Sequence, residues 1–240
     1  MGATAVSQSK HEERTGELNK LFIPGIAVFV AIAVVGGFAR TYFLAGMFWA
    51  KLPSAIVHIH GALFTLWIAL LVAQVALIAS HRVRWHMRLG VAGMFLAPLM
   101  LLTGFATLVG AIKRGFVPPP VLRFIATVDT LLLSLFAFFV LWAFLARRDA
   151  QTHKRAILFA TFIIIGPALA RWPFAANPIA FHVFLNSFPA LLVIYDLWTR
   201  RSLHRATAWG VGLMVAVEVA VGPLAQSSAV NVAVAWLQGK

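Results

Sequence analysis

The sequence predicts an all-α, polytopic membrane helix bundle with about seven transmembrane helices. Of its 240 residues, 61% are hydrophobic and only 11% are charged, a balance that is typical of chains surrounded by lipid. Seven apolar stretches approach or exceed the roughly 20 residues that a helix needs to cross the hydrocarbon core. Prolines, glycines and short basic runs separate these stretches, as expected for turns between helices.

The predicted spans form one N-terminal helix followed by three hairpins. They cover residues 22–40, 54–79, 88–112, 121–146, 155–171, 178–198 and 206–226. The fifth span is the shortest, at about 17 residues, because it ends at Arg171-Trp172-Pro173. Each return helix of a hairpin contains one proline, which predicts a kink. These prolines are Pro98, Pro167 and Pro223.

The distribution of charge predicts the topology. The formal net charge is +13, and most of the basic residues fall on one side when the N-terminus is placed in the cytoplasm. We therefore expect a cytoplasmic polar segment at 1–20, a transmembrane domain at 21–226 and an outer-side C-terminal segment at 227–240. The chain is predicted to be a multi-pass protein of the cell membrane.

Composition also excludes several classes of function. The basicity follows the positive-inside pattern, so membrane lipids, and not nucleic acid, are the expected partners. The chain has no cysteine, which excludes disulfides, thiolate metal ligands and cysteine nucleophiles. It has no Gly-rich phosphate loop and no Gly-x-Ser-x-Gly motif, and its last span has no lysine for a retinal Schiff base.

Ionisable residues within the spans are the candidate site, because charges in hydrocarbon are costly and tend to mark function. His60, Asp129 and His182 enter their helices at similar depth near the outer side. Two imidazoles and a carboxylate match a metal site that leaves positions open for substrate, dioxygen or water. His58 or Glu218 could join this set, although His58 and His60 are two residues apart and point in different directions.

A second arrangement uses histidines at both ends of the bundle. His60 and His182 could hold an outer haem and His86 and His153 an inner one, so that electrons cross the membrane between two bis-His haems. His86 and His153 lie at helix starts beside arginines, where a polar interfacial role is equally consistent.

Several other polar residues are assigned ordinary roles. His81 and His204 are expected to be loop residues, and Asp149 a loop charge. Asp196 is followed by Arg200 and Arg201, which predicts an ion pair at the membrane edge.

Several motifs resemble a known group. The stretch from His58 to Trp67, followed by Gln74 and by the segment Trp85-His86-Met87-Arg88-Leu89-Gly90, resembles a widespread family of uncharacterised bacterial multi-pass membrane proteins. The likeness continues through His153-Lys154-Arg155 to the C-terminal segments and covers nearly all of residues 40–238. Ala225 departs from the pattern, in which a basic residue often follows Pro-Leu. Histidines on successive helices also resemble, more loosely, the diheme cytochrome b proteins.

These observations lead to one functional hypothesis and two alternatives. We expect a redox protein that binds haem b or a transition metal (iron, zinc or copper) and acts with a lipid-soluble partner such as a quinone. One alternative is an intramembrane metal-dependent hydrolase or oxygenase that uses the same residues. The other is a non-enzymatic accessory subunit of a larger membrane complex, in which the polar residues only hold helices together. The sequence does not decide whether the protein is an enzyme.

Overall fold

The computed structural model describes residues 21–47 and 54–240, and within these ranges the secondary structure is entirely helical. Helix α1 covers Leu21–Phe43, and its last turn, Ala39–Phe43, is a π-helix. The remaining helices are α2 Ala55–Ala79, α3 Val83–Arg114, α4 Pro119–Leu145, α5 Ala150–Ile164, α6 Gly166–Leu169, α7 Pro178–Arg200, α8 Arg205–Ala225 and α9 Ser228–Leu237.

Six of the described helices, α1 to α4, α7 and α8, are long and apolar enough to cross a membrane. This result confirms the predicted all-α polytopic bundle. The fifth predicted span, 155–171, differs from the prediction because it begins earlier, at Ala150, and is broken after Ile164. The cause is Pro167, which lacks an N–H group and whose ring excludes a helical hydrogen bond to the fourth preceding residue.

The broken helix nevertheless links the two ends of the bundle. Arg155, near the start of α5, contacts Asp196, near the end of α7, so these two helices run in opposite directions. Together α5 and α6 extend for about 30 Å. We call the end that carries loops 80–82, 146–149 and 201–204 the basic end. Helices α5 and α6 therefore return the chain from the basic end toward the end at which α7 begins.

Helix α5 lies at the centre of the bundle. Its Phe159 ring stacks on Phe139 of α4 with centroids 5.5 Å apart, and its Phe162 ring lies 5.4 Å from that of Phe188 of α7. On another side, the indole Nε1 of Trp67 in α2 donates a hydrogen bond of 3.1 Å to the Thr161 hydroxyl. The helix is thus covered by protein on several faces.

Helix α1 packs against α7 and against the segment that follows α5. Phe22 stacks on Tyr195 with ring centroids 4.1 Å apart, and Phe29 stacks on Phe188 at 4.9 Å. Toward the other end of α1, the Nε1 of Trp172 donates a hydrogen bond of 2.9 Å to the carbonyl of Ala33. These contacts join α1 to the same core that surrounds α5.

The contact between α5 and α8 requires a glycine. A Cβ atom at Gly210 would lie 2.3 Å from the Phe159 ring, whereas a Cβ atom at Gly212 would meet nothing within 4 Å.

We expect Gly210→Ala to destabilise the protein by about 1–3 kcal/mol because the buried ring has to move. Gly212→Ala is the matched control and should be neutral or slightly stabilising. Thermal unfolding in detergent measures both, and equal effects would contradict the close packing.

Asp149, expected to be a simple loop charge, is the N-cap of α5. Its Oδ1 accepts hydrogen bonds from the backbone N–H groups of Gln151 and Thr152, and its Oδ2 accepts one from the Thr152 hydroxyl. The bonds from Thr152 and the Gln151 N–H hold the pKa of the Asp149 carboxyl below its usual value. The stabilisation is therefore present at neutral pH and is lost as pH falls through the lowered pKa.

Asp149→Ala should destabilise the protein by about 1 kcal/mol at neutral pH. Asp149→Asn keeps an acceptor at the cap and should behave nearly as the wild type. The difference between wild type and Asp149→Ala should shrink below about pH 4, where the wild-type carboxyl becomes protonated. Unfolding curves recorded across this pH range test the prediction, and a deficit that persists unchanged in acid would contradict it.

Candidate functional site

The two histidines near the start of α2 have different surroundings. His58 is exposed and lies against Tyr42, with ring centroids 5.6 Å apart. His60 is half-buried and packs on Phe64 at 4.2 Å, and its buried Nδ1 has no hydrogen-bond partner in the described part of the chain. Of the two, His60 therefore has the free nitrogen inside the bundle.

Asp129 of α4 is half-buried and lies level with His60. The two helices run in the same direction, and Trp67 packs on Phe136 with ring centroids 5.1 Å apart. Each of these aromatic residues lies seven positions beyond the ionisable residue of its own helix, or about two helical turns. His60 and Asp129 therefore occupy equivalent faces at one depth, although they do not contact each other through any hydrogen bond of the described residues.

The other residues of the predicted outer site lie apart. His182 is exposed on α7, and Glu218 of α8 accepts a hydrogen bond of 3.0 Å from the amide of Asn186. Among residues 21–47 and 54–240, no three His, Asp or Glu side chains come close enough to hold a metal ion together. The full set of His58, His60, Asp129, His182 and Glu218 is therefore not assembled around one point.

At the basic end, by contrast, two histidines predicted as cofactor ligands lie together. His86 is in the first turn of α3, and His153 is in the first turn of α5. Their ring centroids are 6.3 Å apart, and the rings are almost perpendicular, at 84°. Both residues are half-buried. The antiparallel packing of two hairpins, α2 with α3 and α4 with α5, produces this juxtaposition.

One of these two rings has a nitrogen engaged by the main chain. His153 Nδ1 is 2.8 Å from the carbonyl oxygen of Ala143. Because a carbonyl only accepts, this nitrogen carries the proton, and in the neutral ring Nε2 carries the lone pair. The buried Nδ1 of His86 has no hydrogen-bond partner among the described residues. A main-chain bond such as that of His153 fixes the tautomer and orientation of a metal-binding histidine.

Gln74 adds a third acceptor in the same corner. Its side-chain Nε2 lies 3.4 Å from the position that a Cβ atom of Gly90 would occupy, one turn beyond His86. Its Oε1 is buried and lacks a partner within the described part of the chain. Gln74 was not predicted as a site residue. The sequence did contain a signal, since Gln74 is the single amide in the apolar helix α2 and uncharged polar groups in hydrocarbon need partners.

A second polar cluster lies beside this one and is organised by an ion pair. Arg155 of α5 and Asp196 of α7 have fully buried side chains in direct contact. Arg155 also donates to the carbonyl and the side chain of Gln151. Asp196 further accepts from the Thr207 hydroxyl and from the backbone N–H of His204. The cluster thus joins α5, α7 and α8.

This ion pair corrects the predicted one. Asp196 pairs with Arg155, in the interior, and not with Arg200 or Arg201 at the membrane edge. An edge pair was predicted because those arginines follow Asp196 closely in sequence. The structure instead turns Asp196 toward α5, where Arg155 has no other acid to neutralise it among the described residues. Arg155 had been interpreted only as part of the positive-inside signal.

His204, at the start of α8, completes the cluster. Its Nδ1 accepts a hydrogen bond of 3.1 Å from the Ala206 N–H, so the ring caps the helix in its neutral form. Burial first, and then the neighbouring positive charge of Arg155, lower the pKa of His204. The expected loop histidine is therefore a helix cap.

No family model matches this chain, and no curated protein or solved structure does so either. The two resemblances carried by its motifs remain expectations.

Asp196→Asn should destabilise the protein by about 3–5 kcal/mol, because it leaves the buried Arg155 without its counter-charge. Glu218→Gln is the matched control, since this half-buried carboxylate has only a hydrogen bond to Asn186, and should cost much less. Denaturant unfolding in detergent micelles compares the two variants. Equal, small effects would show that the Arg155 charge is neutralised in another way.

Proposed function

We propose that this chain is an integral membrane protein that binds a transition metal through His86 and His153 and uses it in redox work with a lipid-soluble partner such as a quinone. The observation that supports the proposal is the group of unsatisfied acceptors at the basic end. His86 Nδ1 and Gln74 Oε1 are buried without a donor among the described residues. The ring of His153, whose Nε2 has the lone pair in the neutral form, lies 6.3 Å from that of His86. Buried acceptors of this kind need a cation or a hydrogen-bond donor as a partner.

The spacing of the two imidazoles suits one metal ion. A metal about 2.0–2.1 Å from a ligating nitrogen places two ring centroids about 5–6.5 Å apart, depending on the angle at the metal. The observed separation of 6.3 Å lies in the upper part of this range, which a wide angle at the metal would give. Imidazole ligands suit copper, iron, nickel and zinc, of which copper and iron are the redox metals. This chemistry needs no cysteine.

Gln74 favours a single ion over haem. An amide oxygen beside two imidazoles would provide a third ligand, and a haem with two axial histidines uses no third protein ligand. A three-ligand ion would keep a position open for water or a substrate. Haem iron with His86 and His153 as axial ligands is the alternative form of the same proposal, and its optical spectrum distinguishes it.

The surroundings support a partner that arrives through the bilayer. Trp85 and Met87, on either side of His86, are 58% and 59% exposed on the surface of the bundle. Such apolar side chains face lipid in a membrane-spanning helix. A quinone dissolved in the bilayer could therefore approach α3 within a few residues of the proposed ligand.

A second candidate site has its own observation. The buried Nδ1 of His60 lacks a partner within the described residues, and Asp129 lies level with it across α2 and α4. These two residues would serve the alternative function, a metal-dependent oxygenase or hydrolase at the other end of the bundle. The experiment below separates the two locations.

We expect wild-type protein, purified in detergent, to contain near-stoichiometric copper or iron by elemental analysis. His86→Ala and His153→Ala should each lose the metal, and Gln74→Leu should weaken its binding by about tenfold or more. His182→Ala is the control and should keep it. A Soret band that responds to dithionite would identify the metal as haem iron.

Three results would contradict the proposal. Metal that remains in both His86→Ala and His153→Ala does not bind at this site. Metal that is lost only in His60→Ala belongs to the second candidate. Protein that has neither metal nor a Soret band, and that takes up no Cu²⁺ when titrated, has no such function.

A further inference from the structure

An open, lipid-facing groove of about 410 Å³ runs along α7 at the basic end, and the described residues that line it are Ile194, Leu197, Trp198 and Arg201. These positions are spaced by three and four residues, so they form one stripe along a single helix face. The three apolar side chains are 47–59% exposed. The stripe is therefore apolar over most of its length and cationic at its last position.

Among the residues that the structure describes, Arg201 has no acid to pair with at this end. The described acidic side chains here are Asp149, which caps α5, and Asp196, which pairs with Arg155. Neither contacts the Arg201 guanidinium. Arg201 also has a positive φ of 58°, a conformation that glycine adopts more easily. The conformation directs the chain away from α7 while the backbone N–H of Arg201 still bonds to the carbonyl of Leu197, at 3.2 Å.

We propose that this groove binds one anionic phospholipid. Its acyl chain would lie along Ile194, Leu197 and Trp198, and its phosphate would pair with Arg201. An apolar wall that ends in an unpaired guanidinium matches an amphiphile with a negative head, because a guanidinium binds phosphate through two parallel hydrogen bonds. A zwitterionic lipid carries a second, positive group that offsets this attraction.

Trp198 provides a built-in reporter for the test. The full-length protein is reconstituted into vesicles of phosphatidylcholine that contain a small fraction of brominated phosphatidylglycerol or of brominated phosphatidylcholine. Bromine quenches a nearby indole, and the contribution of Trp198 is obtained by subtracting the signal of Trp198→Phe. We expect the brominated anionic lipid to occupy the groove about fivefold more readily than the zwitterionic one. This is the preference for anionic lipid that one arginine near the membrane surface gives.

Arg201→Gly should abolish this preference. Glycine suits the positive φ, so the variant removes the guanidinium without a cost to the fold. Arg148→Gln is the matched control, because it removes one exposed arginine from another loop at the same end and should leave the preference intact. Arg201→Lys keeps a charge and should keep part of the preference.

Three outcomes would overturn the proposal. Equal quenching by the two brominated lipids would show an ordinary lipid boundary. An equal loss of preference in Arg148→Gln would assign the effect to the general surface potential. Trp198 emission that neither lipid quenches would indicate that a second copy of the chain covers the groove.

Discussion

The contact on which the basic end depends is the buried ion pair of Arg155 and Asp196. Two charges removed from water are stabilising only when their remaining donors and acceptors are satisfied. Here Gln151, Thr207 and the His204 backbone provide those bonds. This pair thus fixes the rotation of α5 about its axis and its position along the bundle relative to α7 and α8.

The same constraint explains why the histidines of the opposite face meet. His153 and Arg155 are two residues apart on α5, so their side chains point to different sides of the helix. Because the ion pair directs Arg155 toward α7, His153 is directed toward α3 and α4, where His86 and the carbonyl of Ala143 lie. The structural cluster and the proposed site therefore share one helix but use opposite faces of it.

Much of the fold could be predicted because long apolar runs report directly on membrane helices. The break in α5 was harder to foresee, since the proline rule allows either a kink or an end. Asp196 was paired with Arg200 and Arg201 because those arginines are near in sequence, whereas its actual partner is 41 residues away. Gln74 was not predicted as a site residue because a lone amide does not define a set of ligands. Contacts between helices depend on how each helix is rotated about its own axis, and apolar runs alone do not define that rotation.

The position of Arg155 also bears on how the protein enters the membrane. An arginine in an inserted helix costs about 2.5–3.5 kcal/mol at the centre of the helix and less toward its ends. Arg155 is near the start of α5, where its side chain can reach the headgroups until α7 supplies Asp196. The contacts of Asp196 with Arg155 and with the Thr207 hydroxyl form only after α7 and α8 have been synthesised, so the packing around Arg155 is completed late in biosynthesis.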